Sequence, residues 1–140
     1  LLLEQALGDV YVHDLMSSPV ATIPADATLL EAARDYFMTA RFTAFGVEDH
    51  GMIVGLVRME DLQRVPREHW QQVTVREVMT ELDPTTMTIN SDAEAVEALM
   101  QMAENQLGRL LVTDRAGNVI GIISHSDIVR LVRVRSGLGM

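Results

Sequence analysis

Thr22-Ile23-Pro24-Ala25-Asp26-Ala27 returns 66 residues later as Thr88-Ile89-Asn90-Ser91-Asp92-Ala93, and that return decides the fold. The same shift lays Thr22–Val65 over Thr88–Leu131, with ten of 44 positions identical. Besides the opening Thr-Ile and Asp-Ala pairs, the matches are Glu31/Glu97, Ala32/Ala98, Gly51/Gly117, Gly55/Gly121, Asp61/Asp127 and Arg64/Arg130. Upstream, Val12-His13-Asp14-Leu15-Met16 echoes Val75-Arg76-Glu77-Val78-Met79 at a shift of 63, so the second copy carries three extra residues after Met79. An internal repeat of this kind organises the whole chain. Copies of about 60 residues bury too little surface to be comfortable alone, so the two are expected to share one core.

Within each copy the residue types run in one order. A short turn (Val12–Met16, Val75–Met79) leads to an extended piece ending at Ile23 or Ile89. Asp26 and Asp92 stand where an N-cap or acidic first turn belongs. Helical spacing follows, at Leu29, Leu30, Ala33, Phe37 and Met38, and at Val96, Leu99, Met100 and Ala103. Two apolar strands come next: Ala44–Val47 and Met52–Val57 around Asp49-His50-Gly51, and Leu110–Thr113 and Val119–Ile123 around Arg115-Ala116-Gly117. Asp and Gly are expected to supply the positive-φ positions of these hairpins. A second helix begins near Glu60 or Ser126. The expected class is α+β, two βαββα repeats related by a pseudo-two-fold, with sheets packed together and helices outside. The boundaries are a helical lead-in over 1–9, copy one over 10–65, a linker over 66–74, copy two over 75–134 and a tail over 135–140. In the lead-in, Leu1, Leu2, Leu3, Ala6 and Leu7 crowd one side of a turn that stops at Gly8. Trp70, in the linker, is expected to pack on a sheet.

Composition narrows the function. The 140 residues carry 11 basic side chains, all Arg, against 20 acidic ones, a formal charge of −9 that argues against coating a nucleic acid. Zero cysteine excludes disulfides, thiolate metal sites and a Cys nucleophile, and suits a cytoplasmic setting. No apolar run is long enough for a transmembrane segment. The absence of an initial Met suggests a piece of a longer protein. His13, His50, His69 and His125 are scattered without i, i+4 spacing, so neither a zinc site nor a catalyst is expected. Met100 and Met102 read as core or dimer surface.

Gly121-Ile122-Ile123-Ser124-His125-Ser126-Asp127 closes a strand and opens a helix. The unpaired first amides of a helix suit an anion, Ser124 and Ser126 add hydroxyls, and Asp127 is placed to accept from a sugar diol. Ser and Asp here equally satisfy plain N-capping. The two copies resemble a pair of cystathionine β-synthase (CBS) domains over residues 10–134. The resemblance lies in Gly121, Ser124 and Asp127 of that stretch, the opening turns with Met16 and Met79, and the Gly51 and Gly117 hairpins. It implies a regulatory module, not an enzyme, that senses an adenosyl nucleotide (AMP, ADP or ATP). In the family the signature Asp holds the ribose, the Ser/Thr and helix amides take sugar or phosphate, and adenine enters between the repeats. By position, Ser17, Ala21, Phe42 and Thr43 would wall the Asp127 site, and Thr80, Met87, Gly108 and Arg109 the Asp61 site.

The first copy departs from the signature. Gly55-Leu56-Val57-Arg58-Met59-Glu60-Asp61 puts Arg58 where Ser or Thr belongs. Arg58 either reaches a phosphate or folds over and fills the site, and Glu60 repels phosphate. Arg41 and Arg109 are further phosphate candidates, each also readable as a solvated surface residue. Leu56–Asp61 running on to Val65–Trp70, with Asp35–Met38 and Phe42–Phe45, is similar to the cytosolic CBS pairs of site-2-type membrane metalloproteases. That resemblance implies an upstream partner domain and membrane tethering through it. Self-association as a CBS dimer is expected in any case; the alternative function is a structural dimerisation module with degenerate clefts. The basic tail with Arg130, Arg133 and Arg135 complements a helix dipole or meets anionic lipid.

Overall fold

The computed structural model describes residues 2–140, with side chains from Gln5 onward. Of the apolar opening, Leu1 and the side chains of Leu2 and Leu3 therefore lie outside the described residues. The chain forms two compact units, one of residues 21–83 and one joining the N-terminal 20 residues to 84–140.

In the unit of residues 21–83, β1 (Thr22–Pro24) pairs parallel with β2 (Ala44–Asp49), which turns into antiparallel β3 (Met52–Arg58). Between β1 and β2 run α3 (Leu29–Ala32) and a wider π turn over Ala33–Phe37, and α4 (Met59–Gln63) follows β3. Thr28, not Asp26, caps α3: its hydroxyl accepts from the Glu31 amide at 3.1 Å, while a Glu31 carboxylate oxygen accepts from the Thr28 amide at 3.0 Å. Asp26 lies two residues too early and pairs instead with Arg76 at 3.3 Å. At the hairpin, His50 and Gly51 take the positive φ angles (50° and 79°), so it is His rather than Asp that shares the turn with Gly. Ile23, Leu29, Phe45, Val47, Val57, Leu62 and Val75 are buried together as the core of this unit. Trp70 packs against that core and donates Nε1–H to the Val65 carbonyl at 2.9 Å.

The second unit repeats the plan with β5 (Thr88–Asn90), β6 (Arg109–Thr113), β7 (Val119–Ser124), α7 (Ala95–Asn105) and α8 (His125–Gly137). The cap of α7 is Glu94 rather than Asp92, whose own amide donates to Asn90 Oδ1 at 2.8 Å. Leu7, Val12, Leu110, Val112, Ile123 and Ile128 are the centre of its core. Each unit thus has its own buried apolar cluster, which the repeat lengths alone do not foretell.

The lead-in turns exchange places. The turn α5 (Val75–Val78) that opens the second copy packs on the core of the first, and β4 (Thr80–Glu81) extends that sheet beside Gly55 and Leu56. Reciprocally, α2 (Val12–Leu15) packs on the second copy's core, and Ser17 exchanges two backbone hydrogen bonds with Ile122, at 2.9 and 3.0 Å. Helix α1 (Leu2–Leu7) belongs to this same unit. The three additional residues of copy two fall where α6 (Pro84–Met87) forms.

Candidate functional site

Gly121 is fixed by packing. A Cβ at that position would stand 2.5 Å from the Ser17 carbonyl and 3.2 Å from Met16 Sδ. At Gly55 the same atom would meet the Thr80 carbonyl at 2.6 Å and Met79 Sδ at 2.7 Å. The signature glycine and the lead-in methionine are therefore one contact, made crosswise between copies. It sets Ser17 at the edge of β7, just before the motif.

From Gly121 the strand runs into α8. Ser124, extended at φ −113°, is its N-cap. The Ser124 hydroxyl accepts from the Asp127 amide at 3.2 Å, and Asp127 Oδ2 accepts from the Ser124 amide at 2.9 Å. Among the described residues nothing donates to Asp127 Oδ1. Ser126 and His125 are exposed, and Ser124 and Asp127 half-buried. In the first turn of the thirteen-residue helix the His125 amide donates to the Gly108 carbonyl at 2.8 Å and the Asp127 amide to Ser124, which leaves the Ser126 amide and the positive end of the helix dipole. Chemically, this cluster can accept from a diol through Oδ1 and donate to an oxyanion through the serine hydroxyls and the Ser126 amide.

The equivalent cluster in copy one is differently engaged. Asp61 is only 1% exposed. Its Oδ2 accepts from the Arg58 amide at 2.8 Å, and its Oδ1 lies 3.2 Å from Arg58 Nη2 and 3.4 Å from Arg64 Nη1. Arg58 Nη1 also reaches Glu60 at 3.6 Å. A guanidinium has no acceptor, so only the Asp61 half of a reciprocal cap can form here.

The remaining expected site residues divide between the units. Ala21, Phe42, Thr43 and Thr80 lie in that of residues 21–83; Ser17, Met87, Gly108 and Arg109 lie in the other. Phe42 is part-exposed and meets Phe45 edge-on at 6.0 Å, while the Thr43 carbonyl accepts from the Met59 amide. Arg109 is half-buried rather than solvated, with Nη1 donating to the Leu107 carbonyl at 3.3 Å; Arg41 is exposed. A shallow depression of about 400 Å³ runs down α8 along His125, Ser126, Val129, Arg130, Arg133 and Val134, and Asp127 is not part of its lining. Reading by sequence missed that depression; its signal is the i, i+4 rows of Val and Arg in α8. Among the described residues no group of three His, Asp or Glu is placed to hold a metal ion, and no helix is long and apolar enough to cross a membrane.

Two βαββα repeats, each with a strand-to-helix Asp and an exchanged lead-in, define a tandem-repeat α+β module. The chain belongs to the CBS-domain family, whose profile matches residues 12–68 and 75–134. A Synechocystis protein named as a candidate zinc metalloprotease is 28% identical over 121 residues, covering 84% of this chain and 31% of that protein. The chain spans between 23% and 41% of the length of five curated relatives that it matches. In fold it is similar to the CBS domain of a bacterial CNNM/CorC-family Mg2+ transporter in complex with ATP (TM-score 0.76, 20% identity, 94% of this chain and 92% of that one). It is similar also to CBSX2 in complex with AMP (TM-score 0.72, 20% identity, 91% and 98%).

Proposed function

We propose that this CBS pair is a regulatory module that senses an adenosyl nucleotide at the start of α8. Asp127 Oδ1 accepts from the ribose hydroxyls, while the Ser124 and Ser126 hydroxyls and the Ser126 amide meet sugar or phosphate, with Ser17 alongside. The observation that carries this reading is the unpartnered Oδ1 of Asp127 beside the exposed Ser126 and the half-buried Ser124. The ATP and AMP complexes of the two solved relatives support the ligand class. The module answers to its ligand by biasing the geometry of an attached domain, provided the ligand prefers one arrangement over another. The Synechocystis relative supports a metalloprotease as that domain, and the cysteine-free sequence supports a cytoplasmic location.

A thermal-shift screen against AMP, ADP, ATP, GTP and S-adenosylmethionine tests the reading. At a hundredfold excess over Kd, binding adds about 2.7 kcal/mol, a rise in Tm of roughly 5–10 °C for a chain of this size. An adenine nucleotide is expected to give that rise, and Asp127→Ala to remove it. Equal shifts in both proteins contradict the role of Asp127; no shift with any nucleotide contradicts the sensor.

A second reading, self-association, is favoured by the exposed Met100 on α7 and Val134 on α8, at 64% and 48% exposure. Sedimentation across a range of concentrations distinguishes a dimer from a monomer, and the two readings are compatible.

A further inference from the structure

The two signature carboxylates share a position in the repeat but not a chemical state. Asp127 keeps one oxygen open, whereas both oxygens of Asp61 are engaged by the chain's own donors. We infer that Arg58 stands on Asp61 in place of a ligand, so that each chain takes one nucleotide, at Asp127, and not two. This rests on the nucleotide-sensing reading above.

Four observations converge on it. The Arg58 side chain is 11% exposed and Asp61 1%, so the pair is withdrawn from water, where a charge is not easily stripped of its partner. Arg58, Arg64, Glu60 and Asp61 together are electrically neutral, which leaves no net positive charge to draw a phosphate. Arg58 Nε is buried with no acceptor, an unmet donor that a residue selected for stability alone would avoid. The helix that follows has five residues against thirteen in α8, so its N-terminus offers far less to an anion. To enter here, a nucleoside must remove the guanidinium from Asp61 and leave it only the longer contact with Glu60. A serine, as at position 124, imposes no such requirement.

Calorimetric titration with AMP and with ATP measures the stoichiometry. The unmodified chain is expected to bind one equivalent, and Asp127→Ala none. Arg58→Ser is expected to bind two, and Arg58→Ser with Asp127→Ala one. Two equivalents in the unmodified chain, falling to one in Asp127→Ala, overturn the inference and leave the sensing reading intact. A folded Arg58→Ser that stays at one equivalent also overturns it. If Arg58→Ser does not fold, the unmodified chain and Asp127→Ala still decide the matter. Binding by Arg58→Ser alone, with a silent unmodified chain, upholds Arg58 as the block and overturns the Asp127 reading. Silence in all four proteins overturns both.

Discussion

Asp127 has two tasks, and they separate on mutation. Its Oδ2 closes the reciprocal cap with Ser124, while Oδ1 has no donor among the described residues. Asp127→Ala is expected to lower apo stability by about 1 kcal/mol, the usual worth of a cap, and to abolish ligand-induced stabilisation altogether. Urea melts with and without ATP check both figures. The motif was legible as residues: the Ser and Asp of copy two and the odd Arg of copy one all stand out in the repeat alignment. The sequence left open whether Arg58 reaches outward or folds back. That depends on where its long side chain finds its nearest acid, and Glu60 and Asp61 are two and three residues beyond it.

Among elements, the informative features are the cap of α3 and the crosswise lead-ins. Asp26 looked like a cap because Asp is a good one, but the Thr28–Glu31 pair two residues on satisfies the same amides from both sides. Helical spacing through Phe37 was correct in outline. The turn widens there, with the Met38 amide donating to the Ala33 carbonyl at 2.9 Å, and Phe37 meets Phe45 edge-on at 4.8 Å. Periodicity does not register one extra residue per turn. The lead-in of copy two is pinned by Arg76, which reaches Asp49 at 3.1 Å. The hydrogen bond from Arg76 is the largest cause holding the Asp49 carboxyl below its ordinary value of 3.8. A carboxyl whose folded pKa is lowered stabilises the fold above its unfolded pKa and loses that contribution as pH falls through the folded one. Arg76→Met is therefore expected to reduce stability at neutral pH, and the difference from the unmodified chain to shrink as the solution is acidified below 3.8. Melts in acidic and neutral buffers would show it; a difference constant with pH would contradict the pairing. Gly121→Ala brings a Cβ to 2.5 Å from the Ser17 carbonyl, so the lead-in must move. A loss of about 1–3 kcal/mol is expected from such overpacking, measured as a lower urea midpoint.

Across the whole molecule, repeat and unit do not coincide. The alignment shows two copies but not that each opening turn is built into the other copy's unit, because pattern matching registers similarity and not which sheet edge a strand takes. The exchange has a physical signature: Leu7 and Val12 are wholly buried in the core made chiefly by residues 89–128. Leu7→Ala is expected to cost about 2–5 kcal/mol and to raise amide hydrogen exchange in β5–β7 before it does so in β1–β3. The reverse pattern would contradict the assignment of α1 and α2 to the second copy's unit.

Amide chemical shifts during titration with AMP and then ATP test the central claim most directly. The account predicts saturable changes concentrated at Ser124, His125, Ser126, Asp127 and Ser17, with Asp61 and its neighbours outside that group. Changes centred on Arg58–Asp61, or a spectrum unmoved by either nucleotide, would contradict it.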